Sequence, residues 1–144
     1  MALTNYGELK TAIAAWLNKS NLTSVIPDFI AMAELDMRRD LRLAVMETLA
    51  TGTLSGETLA HPDRFVEARR LVVGDDVYAY RTPEEYQLLA DSSQKVFTSI
   101  GQSIYILGGT AGDDYSLIYK AGLAALTGDG NTNWILTNAP DIYL

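Results

Sequence analysis

The sequence has no cysteine, which excludes disulfides, thiol nucleophiles and thiolate metal sites. It has a single histidine, His61, so any Ser-His-Asp arrangement would have to use it, and no nucleophile-elbow motif accompanies it. Positive charge is scarce. Eleven Lys and Arg stand against 18 Asp and Glu, a formal net charge of -7. A chain that grips nucleic acid tightly carries a basic stripe to neutralise phosphates. That stripe is missing, which argues against sequence-specific DNA binding. An acidic surface keeps a protein soluble and lets DNA pass without sticking. No apolar run approaches the roughly 20 residues of a membrane span, and no charged-then-apolar leader opens the chain.

What is present suits one soluble domain over residues 1–144. Apolar residues make up 48% and charged residues 20%, and the apolar residues recur in periodic blocks. Asn5 with Glu8 three residues on is a capping-box pattern, and Leu9, Ala12, Ile13, Trp16 and Leu17 follow at helical spacing. This predicts a helix over about 5–18. A second helix is expected over about 24–43, with Pro27 in its first turn and a buried stripe of Ile26, Phe29, Ile30, Ala33, Met37 and Leu41. Glu34 and Arg38 stand four apart and are expected to pair. Arg38, Arg39 and Arg42 fall in the last turns, where positive charge complements the helix dipole.

The period then shortens. Strands are expected at about 45–54, with Gly52 as a bulge, and at 65–73, 77–80, 95–100, 103–107 and 115–123. Thr82-Pro83-Glu84-Glu85 is a helix start with an N-cap, proline at the first helical position and a capping-box glutamate. Gly128-Asp129-Gly130-Asn131 reads as a flexible loop, and Trp134-Ile135-Leu136 as an apolar anchor. Asn138-Ala139-Pro140-Asp141 reads as another helix beginning, which stops one turn on at Leu144. Such an apolar end predicts that a partner completes the helix or that the natural product continues. The order is α+β with segregated elements, not an alternating βαβ pattern.

Candidate chemistry is thin. The acid pairs Asp75-Asp76, Glu84-Glu85 and Asp113-Asp114 have the right groups for acid–base work or hard-metal binding. Each falls in a turn or at a helix N-terminus, where acids are favoured locally. The glycine-rich stretch 108–113 lacks the Lys-Ser/Thr ending of a phosphate-binding loop and leads into a strand. The arginines Arg38, Arg39, Arg42, Arg64, Arg69 and Arg70 are the only basic concentration, and Glu34, Asp36, Asp40 and Glu67 are at hand to pair with them. No catalytic residue, cofactor site or metal site is assigned. A metal-dependent nuclease built on the acid pairs and a monomeric binding or regulatory module are the alternatives.

Several stretches, in order and over nearly the whole chain, resemble a known family. They are Thr4-Asn5-Tyr6-Gly7-Glu8-Leu9 through Trp16-Leu17-Asn18; Ile26-Pro27-Asp28-Phe29-Ile30 with Ala33-Glu34 and Arg38-Arg39-Asp40-Leu41-Arg42; Met46-Glu47-Thr48 and Leu54-Ser55-Gly56; and Leu59 to Leu71. Pro83-Glu84-Glu85-Tyr86, Tyr119-Lys120, Thr132-Asn133-Trp134-Ile135-Leu136-Thr137 and Pro140-Asp141-Ile142-Tyr143-Leu144 continue the pattern. Together they resemble the head–tail adaptor, or connector, proteins of tailed bacteriophages.

That resemblance implies a helical bundle, with the N-terminal two-helix unit as part of it, a β-rich insertion containing one short helix, and a C-terminal helix beginning at the chain end. It implies a virion structural protein at the head–tail junction, made in the host cytoplasm. The expected assembly is a homo-oligomeric ring, twelve-fold in such adaptors, between the portal protein and the tail nozzle or tube. Double-stranded DNA would pass through its lumen without sequence-specific contact, and Asp and Glu are expected to line that channel. Arg38, Arg39, Arg42, Trp134 and Tyr143 are the candidate protein-interface residues.

Overall fold

The computed structural model describes residues 3–144 and is mixed α+β. Helices α1 (Tyr6–Leu17) and α2 (Ile26–Asp40) precede strands β1 (Glu47–Thr53), β2 (Thr58–Ala60), β3 (Phe65–Val73) and β4 (Asp76–Tyr80). The short helix α3 (Pro83–Leu88) follows, then β5 (Val96–Ile100), β6 (Ser103–Ile106), β7 (Asp114–Ala121) and the one-turn helix α4 (Trp134–Asn138). The chain divides into two compact units: the part up to Arg42 together with Leu123–Leu144, and Leu43–Gly122.

In the helical unit, α1 begins where the capping box predicts. Asn5 is the N-cap, and its side-chain oxygen accepts from the Glu8 amide at 3.0 Å. The Glu8 carboxylate reaches back one residue further than a standard capping box, to the amide and hydroxyl of Thr4 at 2.7 and 2.8 Å. Those bonds hold its pKa below the ordinary value. The other free amides of the first turn are met by the 128–131 loop. Tyr6 N–H donates to the Asn131 carbonyl at 2.9 Å and Gly7 N–H to the Asp129 carbonyl at 3.0 Å. Lys10 pairs with Asp129 at 2.6 Å. Glycine at position 7 eases the approach, since a Cβ there would stand 3.3 Å from the Asp129 Cβ and the loop would have to give by a few tenths of an ångström. The loop read from sequence as flexible is therefore tied to the start of α1.

Helix α1 ends at Asn18 in the left-handed conformation, φ 48°. Helix α2 carries Pro27 in its first turn and ends at Asp40, three residues before the expected boundary. Leu9, Ala12, Ile26, Ile30 and Met37 are buried, as are Leu123, Leu126, Ile135, Leu136 and Tyr143 from the closing segment. The final helix start expected at 138–141 is instead two short pieces. Asn133 caps α4, with its side-chain oxygen accepting from Leu136 N–H at 2.9 Å, and a 3-10 turn spans Pro140–Tyr143.

In the β unit, seven strands form one sheet in the order β1-β7-β3-β4-β5-β6-β2. All neighbours are antiparallel except β4 and β5, whose parallel pairing needs the crossover that α3 supplies. β1 and β2 lie at opposite edges of the sheet, yet only residues 54–57 join them. A flat seven-stranded sheet would hold its edges roughly 29 Å apart at ~4.8 Å per strand. A four-residue link reaches only about 17 Å. The sheet must therefore curl, and two register shifts in β3, between Phe65 and Glu67 and between Ala68 and Arg70, fall in a central strand where they add bend. The bulge expected at Gly52 is absent, because β1 pairs with β7 without interruption from Glu47↔Lys120 to Thr53↔Asp114. Gly52 is small for another reason: a Cβ there would stand 3.0 Å from the Tyr115 hydroxyl oxygen. The concave side is filled by Leu54, Leu71, Phe97, Ile104, Ile106 and Leu117 with their neighbours.

Candidate functional site

The exposed side of the helical unit is more apolar than solubility requires. In α2, Ile26, Ile30 and Met37 face inward, while Phe29, Met32 and Leu35 are 51%, 63% and 60% exposed. They follow one another at i, i+3 and i+6 and form a ridge. Phe29, expected in the buried stripe, is thus a correction: α2 carries apolar residues on two sides, and only one is covered. Trp16 lies one helical step beyond Leu9 and Ala12 on the stripe α1 buries, yet is 74% exposed. Scattered apolar residues are normal on a surface, but a contiguous patch rimmed by charge marks an interaction site. Asp28, Asp36 and Arg39 rim this one.

Along α1 lies a shallow, mostly apolar hollow of about 490 Å³ lined by Gly7, Glu8, Thr11, Ala12 and Ala15, with Leu3 and Asn5 at its N-terminal end. Two adjacent rows at i+4 spacing, 7-11-15 and 8-12, form its walls, so it is a groove between helical ridges.

Glu34 does not pair with Arg38 as its spacing suggested. It is 7% exposed, and its carboxylate accepts from Leu126 N–H at 3.1 Å and from the Tyr143 hydroxyl at 3.3 Å. The Tyr143 oxygen in turn accepts from the Asn133 amide at 2.7 Å. Burial raises the Glu34 pKa above the ordinary carboxylate value, partly opposed by the Leu126 amide, the Tyr143 hydroxyl and the Arg38 charge. Burial pushes Tyr143 up to about 12. The network ties α2 to the closing segment.

Of the candidate interface residues, Arg38, Arg39 and Arg42 are exposed at the end of α2. Arg38 donates to the Leu123 carbonyl at 3.5 Å, and Arg42 to the Arg39 carbonyl at 2.9 Å. Arg39 pairs with Asp36 at 2.6 Å and Asp40 at 3.4 Å. In the β unit Arg69 pairs with Glu47 and Glu67. Most of the basic concentration is therefore met by neighbouring acids or backbone carbonyls. Trp134 is 42% exposed, whereas Ile135 and Leu136 beside it are fully buried, so the anchor is those two residues. Tyr143 is buried with its hydroxyl inside the Glu34 network. Sequence reasoning missed the ridge and Glu34 because both break the single-stripe pattern it assumes.

The acid pairs have local partners. Asp76 pairs with Lys95, Glu85 closes the α3 capping box, and Asp114 accepts from the Thr53 hydroxyl. Among the described residues no three His, Asp or Glu side chains gather to hold a metal ion. His61 Nε2 lies 2.8 Å from Ser99 Oγ, with the ring stacked on Phe65 at 4.0 Å. Burial lowers its pKa, which keeps it neutral at pH 7. Catalysis by such a pair needs an acceptor that orients the imidazole and donors for an oxyanion. His61 makes only this one side-chain hydrogen bond among the described residues, and it ties the 61–62 connection to β5.

No helix among the described residues is long and apolar enough to cross a membrane. A search of the curated proteins finds no match. The family model described as SU10 adaptor protein matches residues 4–144. With a match over nearly its whole length, the chain belongs to the SU10 adaptor family, the head–tail adaptors of phage.

Proposed function

We propose that this chain is a virion structural protein that assembles as a homo-oligomeric ring between the portal protein and the tail, extends the DNA channel and presents the docking surface for the next tail protein. The α1–α2 pair is then part of a helical bundle that neighbouring subunits complete, and the curled sheet is a separate contact module. The observation that carries the reading is the uncovered apolar ridge Phe29, Met32 and Leu35 in a chain of net charge -7. A free-standing acidic protein gains nothing from such a ridge, whereas a ring subunit needs one.

Family membership supports a structural role in association with other head and tail proteins, and a non-catalytic one. Arg38, Arg39 and Arg42 with the exposed Trp134 are assigned to partner contact, and Tyr143 holds the segment that carries Trp134. The net negative charge supports a lumen lined by Asp and Glu, along which DNA slides because like charges do not adhere. The test is to mix the protein with the portal of the same phage and examine the product by sedimentation and negative-stain microscopy. A ring capping the narrow end of the portal is the expected result. A protein that stays monomeric beside an intact portal would replace this reading with a monomeric binding module.

A further inference from the structure

The ring reading leaves open which faces of the subunit meet, and the helical unit carries two surfaces of opposite form. One is the ridge Phe29, Met32 and Leu35 on α2, with residues three apart. The other is the groove on α1 between two rows of residues four apart, Gly7, Thr11 and Ala15 on one side and Glu8 and Ala12 on the other. Ridges spaced by three fit grooves spaced by four, and this pairing sets two helices at a crossing angle of roughly 20° and an axis separation of roughly 8–10 Å. Along the helix the groove presents the small residues Gly7, Thr11, Ala12 and Ala15, with Leu3, Asn5 and Glu8 at its N-terminal end, and the ridge consists of large side chains.

We infer that the occupant of the α1 groove is a second copy of this chain, which inserts its α2 ridge there, so that each subunit gives a ridge to one neighbour and a groove to the other. The inference rests on the ring reading and names its self-contact. A ridge meeting a groove is a heterologous contact: the two faces differ, so the pair retains one unused ridge and one unused groove and continues to a third copy. An isologous dimer would set ridge against ridge and leave the groove empty.

The size of the contact sets when it forms. At 51%, 63% and 60% exposure the three ridge side chains present roughly 300 Å² of surface, well short of the ~800 Å² per partner of a stable two-body interface. One such contact is too weak to hold a dimer in dilute solution. In a closed ring every subunit makes it twice, and a portal surface that gathers the subunits raises their effective concentration. The free chain is accordingly monomeric and the contact forms on assembly.

The absence of cysteine gives a clean background for the test. Thr11 and Met32 lie mid-groove and mid-ridge, and both are exposed. Three full-length variants are made, Thr11→Cys, Met32→Cys and the double variant, with circular dichroism melting to confirm that each is folded. Each is assembled on the portal and treated with a short bismaleimide. The double variant should give a ladder of covalent oligomers on denaturing gels, an equimolar mixture of the single variants should stop at dimers, and neither single variant alone should cross-link. Met32→Lys, which leaves the buried side of α2 untouched, should reduce ring occupancy on the portal at least tenfold.

The outcomes separate the inference from the reading beneath it. If wild-type rings form but the double variant gives no ladder, or Met32→Cys alone gives dimers, the ridge-to-groove contact is overturned and the adaptor ring stands. Full ring occupancy by Met32→Lys would overturn it equally. Failure of wild type to form any ring on the portal overturns both.

Discussion

Removing the Glu34 carboxylate should destabilise the protein while neutralising it should not, and the network around it sets the sizes. In Glu34→Ala, Leu126 N–H loses its acceptor inside the unit, and the Tyr143 hydroxyl loses the oxygen it donates to. A buried amide left without a partner costs about 1–3 kcal/mol, and loss of the second bond adds about 1 kcal/mol. Relief of the buried charge offsets part of this, so the expected loss is roughly 2–3 kcal/mol. Glu34→Gln keeps Oε1, which accepts from both Leu126 N–H and the Tyr143 hydroxyl, and loses only the longer contact of Leu126 N–H to Oε2 at 3.4 Å. Its cost at low pH is about 1 kcal/mol or less.

The pH dependence separates the two further. The Glu34 pKa is raised above its ordinary 4.5, with burial as the leading cause. Between 4.5 and the folded value, the folded state binds more protons at this site than the unfolded chain. The stability contributed by Glu34 is therefore complete below 4.5 and falls as pH rises through the folded value. Glutamine cannot ionise, so Glu34→Gln should gain on wild type as pH rises from 4 toward neutrality. Urea unfolding of the two proteins in parallel reads the difference and cancels the other carboxylates. Glu34→Ala within about 0.5 kcal/mol of wild type would refute the role of the network. A Glu34→Gln that loses ground with rising pH would show that the hydrogen bonds from Leu126 and Tyr143, together with the Arg38 charge, outweigh burial at this carboxylate.

Other consequences are more direct. Thr98 is fully buried with its hydroxyl oxygen unpartnered among the described residues, so the isosteric Thr98→Val should raise stability by about 1 kcal/mol in urea unfolding. Asn133 both caps α4 and donates to Tyr143 and to the Ala124 carbonyl, so Asn133→Ala should cost about 2 kcal/mol, with faster amide exchange at Leu136. Both tryptophans, Trp16 and Trp134, are exposed, so ring assembly should shift tryptophan emission to the blue, and Trp134→Phe, at the assigned partner contact, should remove part of that shift.

Local signals in the sequence located the elements well where they were self-contained. The capping box Thr82-Pro83-Glu84-Glu85 placed α3 at its observed start, because it is satisfied within four residues. β3 was legible at its full extent, Phe65–Val73, because turn signals bound it on both sides. What lay beyond reach depended on partners distant in the chain. Curling of the sheet follows from β1 and β2 occupying opposite edges, which no local pattern encodes. Gly52 has the signature of a bulge, and only its register against Tyr115 shows that it makes room for a ring.

Helix α2 shows why the candidate surface was the hardest part to see. Its apolar residues include Ile26, Phe29, Ile30, Met32, Leu35 and Met37, which surround most of the axis. Periodicity finds a buried stripe only when a helix has one apolar side. Here a stripe drawn through the residues spaced by three and four collected Phe29 along with Ile26 and Ile30. Glu34, the acid read as a surface partner for Arg38, sits on the covered side because Leu126 and Tyr143 supply its hydrogen bonds. The same substitution of roles explains both errors. A buried carboxylate with donors of its own occupies a core position, and an aromatic residue takes a surface one. Each is costly in an isolated subunit, the carboxylate through desolvation and the phenylalanine through exposure. The desolvation is offset inside the subunit by the closing segment. Within the chain the exposure of Phe29 is not offset, and the proposed ring contact is what would relieve it.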